Sequence, residues 1–246
     1  MNRNTIVKPC LEKVFQQDNI FCSYDAHRIS TFTPEIFEGS YWLAENAVLG
    51  TAHGRGTTYF VQHQSEQWVL RHYYRGGIIG KLFNDGFIYL GMSRTRAAQE
   101  YRLLKKMYQL HLPVPEPIAY RVERHGGYYC CDLITARITN SSDLVDILSK
   151  EPIASQQWLA IGKCIAQFHK HGIYHHDLNS HNILIDNENK VWIIDFDRGQ
   201  QRAVKQQWQQ ANLARLERSF RKELSRLDTF YWRESDWQLL IEGYLS

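Results

Sequence analysis

No run of eighteen apolar residues occurs among the 246 of this chain, so no membrane-spanning helix is expected. The start, Met1 to Pro9, lacks the apolar core of a signal peptide. Cysteine is scarce: five residues, an odd number, with no metal-type spacing. Cys130 and Cys131 are adjacent in an expected strand and point to opposite faces; they read as buried small apolar residues of a reducing compartment. A cytoplasmic location follows from that usage. Net charge is low, at +3, and no aromatic pattern interleaves with the basic residues as in an RNA-binding module. No nucleic-acid partner is therefore expected. What is present argues for a packed enzyme: 43% hydrophobic residues, seven Trp and fourteen Tyr exclude a disordered chain. The length suits one two-lobed domain or two small ones.

The most informative stretch is His175 to Asp186, followed by Val191 to Asp197. It reads H-x-D-x-x-x-x-N, a short apolar strand, a polar turn, a second apolar strand and D-F-D. That is the layout of a kinase catalytic loop and its metal-binding aspartate. Phosphoryl transfer needs one group to orient the attacking hydroxyl and others to hold magnesium on the nucleotide phosphates. Asp177 is the candidate for the first task, accepting a hydrogen bond from the acceptor hydroxyl and then its proton. Asn182 and Asp195 offer hard oxygen ligands for Mg2+. A hairpin of Ile183–Asp186 and Val191–Ile194, turning through Asn187 to Lys190, would return Asp195 beside Asn182.

Upstream signals are weaker and gain from their order. Gly54-x-Gly56 precedes β-branched and aromatic residues and suits a strand–turn–strand whose backbone lies over phosphates of ATP. Gln67 to Tyr73 reads as a strand. Where a protein kinase carries a strand lysine, this chain has Arg71, which grips phosphate as a planar fork rather than a point charge. Lys81 is the alternative cation. Ser93 is expected to cap a helix whose apolar stripe is Ala97, Tyr101, Leu104 and Tyr108. Glu100 lies near that stripe and could pair with the strand cation. Pro113 to Pro117 enforces an extended linker. Ser155 to Gly172 is expected as a helix, capped by Ser155, ended by Gly172, with Trp158, Ile161, Ile165 and Phe168 on one face.

Basic residues gather near the C-terminus: Arg198, Arg202, Lys205, Arg215, Arg218, Arg221, Lys222 and Arg226. Leu213, Leu216, Phe220 and Leu224 predict a helix with these cations on its other face. That face is either solvated or a patch for an anionic membrane surface or phosphorylated substrate.

With those residues in view, roughly residues 50–220 resemble a kinase of eukaryotic type in reduced bacterial form, and most closely the lipopolysaccharide kinase family. The motifs are V-L-R-H-Y at Val69–Tyr73, H-x-D-L-N-x-H-N-I-L at His175–Leu184 and I-D-F-D-R-G at Ile194–Gly199. The resemblance implies ATP-dependent phosphorylation of a hydroxyl on a 3-deoxy-D-manno-octulosonic acid (Kdo) sugar of a lipid A precursor, at the cytoplasmic face of the inner membrane. It gives Asp177 the catalytic role, and Asn182 and Asp195 the metal. The partners implied are the lipid-linked sugar acceptor and an anionic membrane surface, met as a peripheral protein. D-F-D replaces D-F-G and no A-P-E follows, so the platform for a peptide substrate is missing. Alternatives are a small atypical kinase of the tRNA-modification kind and, outside enzymes, a nucleotide-binding pseudokinase scaffold. The expected fold is α+β, a two-lobed protein kinase-like fold with an antiparallel-sheet N-lobe and a mainly helical C-lobe. Its parts are an N-terminal extension (1–45), the N-lobe (46–135) and the C-lobe (136–246), joined near Thr135 to Ile138.

Overall fold

A computed structural model describes residues 10–53, 56–74 and 85–246. The chain divides into two compact units, Met1–Lys105 with Glu116–Arg137, and Lys106–Pro115 with Ile138–Ser246. The fold is α+β and kinase-like, with an antiparallel sheet in the first unit and mostly helices in the second.

The first unit holds β1 (Glu12–Gln17), β2 (Ile20–Asp25), α1 (Gly39–Ala44), β3 (Val48–His53), β4 (Thr57–His63), β5 (Glu66–His72), β6 (Phe87–Ile88), most of α2 (Arg96–Gln109), β7 (Pro117–His125) and β8 (Tyr128–Ala136). The sheet runs β1-β2-β7-β8-β5-β4-β3, with β6 on β8, and every pairing is antiparallel. Residues of the expected N-terminal extension thus supply two strands of the sheet itself, because β2 pairs with β7 from Ile20↔Glu123 to Tyr24↔Ala119. Strand alternation sorts the side chains. Trp68 and Leu70 of β5 enter a core with Trp42, Val61, Ile118 and Ile134. Arg71 and Tyr73 take the opposite face.

The expected cap of α2 moves. Ser93 lies in a short 3-10 turn (Met92–Arg94), and Thr95 directly precedes the helix, its hydroxyl donating to Met92 O at 2.8 Å. Ala97, Tyr101 and Leu104 of the expected stripe are buried, as is Glu100, but Tyr108 is half-buried and Met107 takes the inward place. Cys131 is buried as expected, but Cys130, on the other face of β8, is only half-buried.

The second unit contains β9 (Ser141–Asp143), α3 (Leu144–Leu148), α4 (Ser155–Lys170), β10 (Ile173–Tyr174), β11 (Ile183–Asp186), β12 (Val191–Ile193), β13 (Gln200–Gln201), α5 (Gln206–Arg226) and α6 (Glu234–Leu245). The apolar stripe of α4 is buried as the sequence indicates. Its N-cap residue is Ala154, which has no side chain to cap with, and Ser155 is the first helical residue. Gly172, at φ +71°, follows its C-terminus; a Cβ there would lie 2.2 Å from Arg202 O. On α5, Leu213, Leu216 and Phe220 are buried, but Leu224 is 45% exposed. The buried residue of that turn is Glu223, whose carboxylate takes the Arg226 guanidinium at 2.5 Å. Among the described residues no helix is long and apolar enough to cross a membrane.

Candidate active site

In the second unit a hairpin and a loop converge as the motif spacing requires. β11 pairs with β12 from Ile183↔Ile193 to Ile185↔Val191. Ile194 N donates to Asn182 O at 3.0 Å, which fixes Asp195 one residue beyond the Asn182 backbone. Asp195 has φ +61°, a left-handed conformation that Asp tolerates better than most side chains. Arg198, three residues on at φ +57°, has no such excuse and marks a tight local path. Gly199 N donates to Phe196 O at 2.7 Å and β13 then pairs with β10, so the chain reaches α5 with no long activation segment.

The loop is held from within. His175 is buried; its Nε2 donates to Ile194 O (2.9 Å), and its Nδ1 accepts from Asp177 N (3.1 Å). These two bonds require the neutral Nε2–H tautomer, and burial lowers the pKa of His175 in keeping with it. Asn212 of α5 clamps the same residue: its Oδ1 accepts from His175 N and its Nδ2 donates to His175 O. Asn182 Nδ2 donates to Asp177 O at 3.0 Å. That commits the amide nitrogen of Asn182 and assigns its oxygen to any cation.

The carboxylate of Asp177 is 62% exposed, so a hydroxyl can reach it. It already has one neighbour, Arg215 of α5, whose Nη1 lies 3.2 Å from Oδ1. The sequence placed Arg215 on a basic helix face without linking it to Asp177, 38 residues earlier. Both groups are so exposed that the pair adds at most about 1 kcal/mol to stability. Arg198, Arg215 and Arg202 also act on His176. Its pKa is depressed, first by burial and then by these cations, with Asp177 opposing them.

In the first unit Arg71 and Glu100 meet: Nη2 lies 2.5 Å from Oε2. Strand alternation puts Tyr73 beside Arg71, and the Tyr73 hydroxyl donates to the same Glu100 oxygen at 2.6 Å while accepting from Arg71 at 3.1 Å. Tyr73 went unnoticed in the sequence, though its i+2 spacing from Arg71 on a strand was the available signal. Gly54 and Lys81 lie outside the described residues. At Gly56, which directly precedes β4, a Cβ would lie 1.7 Å from the Tyr74 ring. An aromatic ring, not open space, covers that glycine.

For a metal, the donor set is chemically apt. Asn182 and Asp195 supply hard oxygens, one neutral and one anionic. Magnesium binds through one or two carboxylates and completes its shell with water and substrate phosphate. Among the described residues no group of three or more His, Cys, Asp or Glu is gathered as a cage. An ion shared with a nucleotide fits these residues; a resident structural metal does not.

A sheet unit carrying an Arg–Glu pair and a helical unit carrying an H-x-D loop, hairpin and D-F-D define a kinase-like phosphotransferase. The chain belongs to the lipopolysaccharide kinase (Kdo/WaaP) family, whose model matches residues 39–244. It is 43% identical over 229 residues to the 3-deoxy-D-manno-octulosonic acid kinase of Vibrio parahaemolyticus, a match covering 93% of this chain and 95% of that one. With the protein of the same name from Vibrio vulnificus it shares 44% identity over 223 residues (91% and 94% covered). With that from Haemophilus influenzae it shares 39% over 240 residues (94% and 98% covered).

Proposed function

We propose that this chain transfers the γ-phosphoryl group of ATP to a hydroxyl of a Kdo sugar on a lipid A precursor, a step of lipopolysaccharide core assembly. The observation that carries the reading is the exposed Asp177 carboxylate on a backbone that His175 and Asn182 hold, with Asn182 in turn bonded to the Ile194 backbone that precedes Asp195. The names of its relatives supply the acceptor. In this reading the acceptor oxygen attacks phosphorus, the bond from phosphorus to the ADP oxygen breaks, and the hydroxyl proton passes to Asp177. Asn182 and Asp195 hold magnesium, which neutralises phosphate charge when bound. Arg71, braced by Glu100 and Tyr73, is the cation for the nucleotide phosphates. Gly54 is kept as the backbone approach to them; the Tyr74 ring over Gly56 argues against that glycine.

The acceptor is anchored in a membrane, so the protein works as a peripheral one at the cytoplasmic face of the inner membrane, attracted by anionic lipid. The short D-F-D-R-G segment offers no bed for a peptide and favours this acceptor over a protein. The test is mass spectrometry of the lipid A precursor carrying Kdo, after incubation with enzyme, ATP and magnesium. A gain of one phosphate is expected. An unchanged acceptor alongside phosphorylated protein or RNA overturns the assignment.

A further inference from the structure

Resting on that reading, one feature of the site concerns how the acceptor is recognised. The relatives are named for an acid: their sugar carries a carboxylate as well as hydroxyls. Near Asp177 the second unit brings together three arginines. Arg215 touches the carboxylate, and Arg198 and Arg202 join it around His176. Two of the three come from the short segment after D-F-D, and the third comes from α5. Arg202 is set in place: its guanidinium lies 3.6 Å from the centroid of the Tyr174 ring, and its Nε donates to the Gln200 side chain at 2.9 Å. Its backbone is fixed by the bond from Arg202 N to Gly172 O.

We propose that Arg215, flanked by Arg198 and Arg202, is the anion subsite of the acceptor: it binds the sugar carboxylate and so sets the neighbouring hydroxyl against Asp177. Three arguments support this. The Asp177–Arg215 pair is too exposed to serve stability, so its cation can be shared with a ligand at little cost. A guanidinium presents a planar fork that matches a carboxylate in two parallel hydrogen bonds. A cation that also contacts the base fixes the distance between the acid group it holds and the hydroxyl that the base receives. Uncharged sugars would gain nothing from such a cluster, and it would disfavour a cationic acceptor.

The experiment uses the full chain and two soluble probes without phosphate, a Kdo glycoside and its carboxamide. Calorimetry measures binding of each to wild type and to Arg215→Ala, with Arg215→Lys as the variant that keeps charge and loses the fork. Phosphoryl transfer is followed in parallel. Wild type should prefer the acid by about 10- to 100-fold, the range of a hydrogen-bonded charge pair. Arg215→Ala should lose that preference and bind both alike; Arg215→Lys should keep part of it. Equal binding of acid and carboxamide by wild type overturns the subsite. So does a preference that survives in Arg215→Ala, and so does binding that appears only with the phosphorylated lipid. Failure of wild type to transfer phosphate to a bound acid bears on the kinase reading alone, because the discrimination is read in binding.

Discussion

Asp177 has its backbone N–H on His175 and its carbonyl on Asn182, so the side chain adds almost nothing to the local structure. Asp177→Ala is therefore expected to keep the fold and ATP binding and to lose at least about 100-fold in transfer rate, the usual worth of a general base. Near-normal turnover in a phosphate-transfer assay would remove Asp177 from the role. Arg71 and Glu100 make the complementary case in the first unit. They share one partly buried contact, so Arg71→Ala and Glu100→Ala should each impair catalysis, and the double variant should be little worse than either single one. Additive losses in kcat/KM would separate the two residues. Tyr73 complicates the pair, since Glu100→Ala also strips its hydroxyl of an acceptor. That Asn182 and Asp195 would meet was legible in the sequence because a short hairpin, Ile183 to Ile193, joins them, and local spacing survives folding. Arg215 and Asn212 were not, because a helix from further along the chain delivers them. Nor does the hydrophobic pattern tell Leu224 from Glu223, since one helical step decides which of them faces inward.

Helices were legible as periods and illegible at their ends. The stripe of α4 was fixed by four large apolar residues, whereas its cap was misplaced by one residue because Ser155 suits either N-cap or the first turn. What the pattern does not reveal is how closely α4 meets α6. A Cβ on Gly162 would stand 1.9 Å from Leu240 O, and one on Gly243 would stand 2.1 Å from Leu159 O. The two glycines form a reciprocal backbone contact that no side chain can yield to. Gly162→Ala gains helix propensity of about 1 kcal/mol in principle. The clash with backbone should exceed that gain, and a net loss of roughly 2 kcal/mol is expected, in the range of overpacked cores. Urea unfolding checks it: a midpoint unchanged or raised would mean that the helices can part at no cost.

At the scale of the whole molecule, charge bears on the proposed membrane docking and on the pH response. Of Arg215, Arg218, Arg221 and Lys222, the α5 cations best placed in sequence to meet anionic lipid, Arg215 is tied to Asp177, and Arg221 to Glu217 (2.7 Å) and Glu234 (2.8 Å). Arg218 and Lys222 remain exposed without a carboxylate partner among the described residues. At about 1 kcal/mol each near such a surface, the double variant Arg218→Ala, Lys222→Ala should weaken sedimentation with anionic vesicles by roughly 30-fold at low salt. Equal sedimentation of variant and wild type would place docking elsewhere.

The pH response rests on buried and half-buried histidines. His169 is buried on α4, its Nδ1 paired with the Tyr244 hydroxyl at 2.9 Å, and burial pushes its pKa down to about 4. The unfolded chain takes up that proton near pH 6.5. Between pH 6.5 and about 4 the unfolded state thus binds more protons than the native one, and stability rises with pH through that window. The contribution is complete above pH 6.5 and amounts to roughly 3 kcal/mol, lost as pH falls toward 4. His175, also depressed by burial, acts in the same direction. His72 opposes them: burial would lower it, but Asp132 at 2.7 Å outweighs burial and raises its pKa. Its contribution is therefore present below pH 6.5 and disappears as pH rises through its native value. His63 and His176 are lowered too, so four lowered histidines against one raised should leave a net loss of stability on acidification. His169→Gln keeps a polar partner for Tyr244 and removes the titration. Urea midpoints measured from pH 7.5 to 4.5 should fall less steeply for this variant than for wild type. Parallel curves would mean that His169 titrates at its ordinary value in the folded protein.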